Sequence, residues 1–162
     1  MDLQLKSPDS AVNEESLVNH RASSAVKALI DSDGVVAVRI RNAGWSGIYS
    51  PLASKLLLDA PTAEIMTANG SLLSAELKNG SQLLLDGNTR MSLGNADSEL
   101  SSTSDATSEK KPLVAEIEMV YGKVAVLDMP VGASLNVVTD DLNWHVTATE
   151  DNTSITVHRV QR

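Results

Sequence analysis

The sequence predicts a mainly β fold: short antiparallel strands stacked as a sandwich or a solenoid-like array, with one N-terminal amphipathic helix. Three observations carry this. Val36, Val38 and Ile40 alternate with Ala37, Arg39 and Arg41, the two-residue period of a half-buried strand. The dipeptides Asn69-Gly70, Asn79-Gly80 and Gly87-Asn88 recur ten and eight residues apart. Residues that tolerate positive φ at such intervals punctuate stacked strands, and Asn-Gly favours the primed turns of hairpins. One segment breaks the pattern: Leu17, Val18, Ala22, Ala25, Val26, Leu29 and Ile30 fall at helical spacing.

In chain order, Met1–Ser10 is polar, carries Pro8 and reads as a disordered lead-in. Residues 11–162 then form a single β-rich domain. The helix spans residues 12–30, with Glu14 and Glu15 in its first turn, where they complement the helix dipole, and Gly34 available as a stop. After the Val36–Ile40 strand, Asn42–Gly47 is a turn carrying Trp45. Ile48–Leu58 fits either a strand or a short helix started at Pro51. Strands follow at Ala63–Ala68, Ser71–Leu77, Ser81–Leu85 and Thr89–Leu93. Residues 94–112 are acidic and rich in Ser and Thr, with too few large apolar side chains to offset the entropy of ordering; a flexible insert is expected. Five more strands read as Val114–Val120, Gly122–Leu127, Ala133–Thr139, Asn143–Thr149 and Ser154–Val160.

Composition narrows the function. The chain has 162 residues, 42% hydrophobic but only 2% aromatic, with no Phe. The core must therefore come from Leu, Val, Ile, Ala and Met. A net charge of -8 repels phosphate backbones, so no nucleic-acid partner is expected. The absence of Cys excludes disulfides and thiol chemistry. No apolar run reaches the length of a membrane span, so no membrane insertion is expected. The start shows no secretion signal. The chain is expected to be cytoplasmic if complete as given, and periplasmic or otherwise extracytoplasmic if cut from a longer protein; the linker-like start favours the second.

No catalytic constellation stands out. Gly-x-Ser-x-Gly, a Walker loop and a dinucleotide fingerprint are all missing. His145 and His158 fall on consecutive strands and could face each other across a hairpin, but neither strand offers a further cluster of ligands, so no metal and no cofactor is expected. The acidic turns Asp140-Asp141 and Glu150-Asp151 lack the alternating ligand spacing of a calcium loop. Trp144 alternates with Val146 and reads as core. Trp45 lies in a turn, where an aromatic serves as a partner anchor. With Tyr49 it is the candidate binding pair of a non-enzymatic protein that contacts another protein.

The run Leu77–Leu93, LKNGSQLLLDGNTRMSL, resembles the signature of FecR-type domains. The resemblance rests on Leu77, Gly80, Ser81, Leu83, Leu85, Asn88, Thr89, Arg90 and Leu93, with Asn79 where Asp is commoner. Thr67–Gly70 resembles the small-residue turn ahead of it. Gly122–Pro130 and Leu135–Thr139 resemble the later strands. Trp144–Thr149 and Thr153–Val157 stand in place of the family's usual Gly-Thr-x-Phe-x-Val ending. The likeness covers roughly Thr67 to Val157, broken by the Ser-rich insert. It implies a non-enzymatic, all-β extracytoplasmic module that passes a signal to a protein partner. The alternative is a structural or assembly subunit, such as a phage or surface-layer component.

Overall fold

The computed structural model describes residues 24–41, 43–95 and 114–161. The chain is mainly β, with eleven strands and one short helix among these residues. The strands are β1 (Val26–Asp33), β2 (Val36–Arg39), β3 (Ser46–Gly47), β4 (Thr62–Thr67), β5 (Leu72–Leu77), β6 (Gln82–Leu85), β7 (Thr89–Asn95), β8 (Ala115–Met129), β9 (Ser134–Val138), β10 (Asn143–Thr147) and β11 (Thr153–Arg159). The helix is α1 (Pro51–Asp59). The expected lead-in, the first part of the expected helix and most of the Ser/Thr-rich insert lie outside the described residues. Gly94 and Asn95, placed in that insert by sequence, extend β7.

One strand organises the sheet. The first half of β8 pairs with β7 antiparallel and with β9 in parallel; its second half pairs with β6 and β11. The sheet thus curls into two layers that share β8. The first holds β1, β5, β6, the end of β8 and β11; the second holds β3, β2, β4, β7, the start of β8, β9 and β10. The sequence splits β8 at Tyr121-Gly122. In the fold that dipeptide bends the strand without ending it. Gly122 has φ 104, and a Cβ there would collide with the Thr89 backbone, so only glycine fits the bend.

Two buried hydroxyls lock this crossing. Thr89 Oγ1 accepts from Lys123 N (3.0 Å) and donates to Lys123 O (3.2 Å). Thr67 Oγ1 donates to Asp86 O (2.6 Å) and accepts from Thr89 N (3.0 Å). Backbone groups freed by the change of layer are thereby satisfied, as burial requires.

Period-2 alternation places the core. Ile65, Leu73, Leu77, Leu83, Leu85, Met91, Ile117, Met119, Met129 and Leu135 are almost fully buried and belong to one cluster filled from both layers. It contains no aromatic side chain, in line with the composition.

The N-terminal helix over residues 12–30 is contradicted where it can be judged: Val26–Ile30 lie in β1. The cause is local. β1 pairs with β5 with register shifts between Val26 and Ala28 and between Leu29 and Asp31. Each bulge inserts a residue, so Val26 and Leu29, three apart, both turn to the core and imitate helical spacing.

The helix sits instead where the pattern was undecided. Pro51 occupies its first turn, Ser50 caps it by accepting from Leu52 N at 3.2 Å, and Ala53 and Leu57 form its buried stripe. Ser24 Oγ donates to Leu57 O at 2.7 Å, tying its last turn to the start of β1.

The turn dipeptides also differ in role. Asn79-Gly80 closes the β5–β6 hairpin, whereas Asn69-Gly70 and Gly87-Asn88 carry the chain between layers. Turn chemistry fixes the reversal; burial on both sides decides whether the next strand pairs with the last.

Candidate functional site

The most organised surface lies on the outer face of the second layer, where β2, β4 and β7 run side by side. Arg39 is opposite Glu64 across β2 and β4, and Arg90 sits diagonally from Glu64 on β7. These positions alternate with Val38, Ile65 and Met91, which are buried, so all three charged side chains point outward.

Glu64 is shared. Its Oε2 accepts from Arg39 Nε and its Oε1 from Arg90 Nε, each at 2.6 Å. Its side chain is only 16% exposed. Burial raises the Glu64 pKa, but the hydrogen bonds and positive charges of Arg39 and Arg90 outweigh it and hold the carboxyl below its usual range.

Trp45 completes the assembly. The Arg39 guanidinium lies 4.6 Å from the centroid of the Trp45 ring, and that of Arg90 lies 5.6 Å away. A guanidinium over an indole face is attracted by the ring quadrupole. Trp45 is half-buried, so the indole is braced by two cations that one carboxylate holds in place. The result is a rigid aromatic platform with a net charge of +1 on an acidic protein.

Tyr49, the second residue singled out by sequence, is 70% exposed. Its hydroxyl donates to Gly34 O at 2.6 Å, fixing the ring against the β1–β2 turn. Val35 and Leu52, 65% and 59% exposed, lie on that turn and on α1. Trp45 and Tyr49 thus flank β3, a two-residue strand that among the described residues pairs only with β2. Trp45 joins Arg39, Glu64 and Arg90; Tyr49 joins Gly34. Sequence reasoning missed the charged trio because their proximity depends on the order β2–β4–β7. The outward phase of Arg39 and the basic residue in the Leu77–Leu93 run were the available signals.

Other sequence candidates separate. Trp144, expected in the core, is 45% exposed on the edge strand β10. His145 and His158 do not face each other: His145 pairs with Asn136 on β9, with its Nδ1 2.6 Å from Asn136 Oδ1, and His158 pairs with Lys123 on β8. Among the described residues, no group of three His, Asp or Glu side chains is placed to hold a metal ion, and no helix is long and apolar enough to cross a membrane. An open hollow of about 390 Å³ lies at the β8 bend, walled by Asp86, Tyr121, Lys123 and His158. Asp86, Lys123 and His158 are solvent-exposed.

Compared with family models, curated proteins and solved structures, the chain gives no match in any of the three.

Proposed function

We propose that this chain is a non-catalytic binding module of the FecR-like, extracytoplasmic signalling kind, acting through protein–protein contacts at the β3 edge. The observation that carries this reading is the braced Trp45 platform, with Tyr49 fixed at the other end of the same edge. Interface hot spots are enriched in Trp, Tyr and Arg. An aromatic side chain held before binding loses little entropy on contact. The short β3 edge lies between the two rings, with an aromatic anchor at each end for a partner's side chains. In support of the family likeness, Asn79 and Ser81 organise the β5–β6 turn, where Asn79 Oδ1 accepts from Ser81 N at 2.9 Å, and Thr89 staples the crossing. The second reading, a structural or assembly subunit, draws on a different feature, the open edge of β11.

The test is titration calorimetry against the proteins encoded beside this chain. Trp45→Ala and Tyr49→Ala should each weaken the complex at least about tenfold. Binding unaffected by either substitution overturns the assignment of this edge.

A further inference from the structure

The ion pairs among the described residues differ in balance. Lys27 with Glu76 and Arg159 with Asp140 each match one cation to one anion. Arg39, Glu64 and Arg90 do not: two guanidiniums share one carboxylate. The surplus positive charge sits around Trp45, on a chain whose net charge is -8.

Hydrogen bonding shows the same surplus. A guanidinium and a carboxylate commonly pair through two parallel bonds. Here the oxygens of Glu64 are divided, one to each arginine, and each contact uses Nε alone. Among the described residues, no Nη group of Arg39 or Arg90 has a protein partner. Arg159 differs, because its two Nη groups are taken by Met119 O and Asp140. Stacking on Trp45 does not consume the Nη donors of Arg39 and Arg90. An indole attracts the flat face of a guanidinium, and the N–H groups leave from its edge. Both side chains reach solvent.

We propose that Arg39 and Arg90 form a carboxylate-binding site, filled in the complex by an Asp or Glu side chain of the protein partner. Nη donors from both arginines would hold the two oxygens of the incoming group, and the trio would pass from a net charge of +1 to neutral. The owner of that carboxylate rests on the reading of the β3 edge as a protein contact; the site itself does not.

The surroundings select the ligand. On β8, Glu118 lies opposite Ser92 and Glu116 opposite Gly94 of β7. They alternate with buried Ile117 and Met119, so both point to the outer face. Neither is in an ion pair among the described residues. Their field repels a phosphate polymer or an anionic lipid surface. A single carboxylate is matched by the local surplus of one charge.

Heteronuclear NMR of the whole chain at constant ionic strength tests this through the arginine Nε–H and tryptophan indole N–H signals. The probe is the capped peptide Gly-Glu-Gly, compared with capped Gly-Gln-Gly and with inorganic phosphate. The Glu peptide should shift the signals of Arg39, Arg90 and Trp45 saturably, with a dissociation constant on the order of 10 mM. Arg159, already paired, should not move. The Gln peptide should bind at least about tenfold more weakly, and Arg90→Gln, which removes the surplus charge, should weaken the Glu peptide as much. Arg39→Gln should give the same loss and serves if Arg90→Gln does not fold. Equal shifts from the two peptides, or shifts at Arg159 as large as those at Arg90, overturn the proposal. Tighter binding of phosphate than of the Glu peptide overturns it too and makes the site one for phosphate. No partner protein enters this titration, so its failure is distinct from failure of the β3 edge in calorimetry.

Discussion

Replacing Glu64 with Gln removes the charge that binds Arg39 to Arg90 while keeping the side chain's shape. The 2.6 Å contacts are charge-assisted hydrogen bonds, a class worth roughly 1.5–3 kcal/mol each when buried. Here the carboxylate is 16% exposed but the guanidiniums are 28% and 33% exposed. Solvent screening reduces each bond to about 1 kcal/mol. The expected loss is therefore about 2 kcal/mol at pH 7, part of it from two cations left facing each other. The effect depends on pH with a defined sign. The folded-state pKa of Glu64 is lowered, so its contribution is fully present above the unfolded value of about 4.3 and disappears as pH falls through the folded value. Urea unfolding of wild type and Glu64→Gln at neutral and acid pH measures both quantities. The difference should be about 2 kcal/mol at pH 7 and shrink toward zero below about pH 4. A neutral-pH difference under about 0.5 kcal/mol, or one that persists unchanged in acid, would refute this account of the platform.

Two further substitutions probe the β8 crossing. Thr67→Val strips the hydroxyl that serves Asp86 O and Thr89 N; one buried and one part-buried backbone group lose their partner, and chemical denaturation should show a loss of about 2–3 kcal/mol. Gly122→Ala forces a Cβ into the Thr89 backbone at φ 104 and should cost about 3 kcal/mol or more. Gly132→Ala, at φ 87 with open space around it, should cost only about 1 kcal/mol; equal effects at the two glycines, read by thermal melts, would contradict the tight crossing.

How much was legible in the sequence follows from how local each signal is. β4 to β7, β9 and β11 show in the alternation because one face of each meets the core, and their ends fall near turn residues. β1 was misread because its bulges give Val26 and Leu29 a spacing of three. β8 was split because a glycine at positive φ looks like a turn, and only its fit against Thr89 shows that the strand runs through. Trp144 has the inward phase that alternation assigned, but phase does not tell whether anything lies opposite. At the candidate site, Trp45 and Tyr49 were visible as aromatics in a connection. Arg39, Glu64 and Arg90 are 25 and 26 residues apart in sequence and meet only through strand order, which no local pattern carries.

Site-specific photo-crosslinking in the producing cells tests most directly whether the β3 edge binds a protein. A photoreactive phenylalanine replaces Tyr49, and in a second strain Lys78, an exposed residue in the turn at the far end of β5. A discrete adduct with a different protein from position 49, weakened by Trp45→Ala and absent from position 78, is the predicted result. No adduct from position 49, or the same adduct from both positions, would contradict the claim.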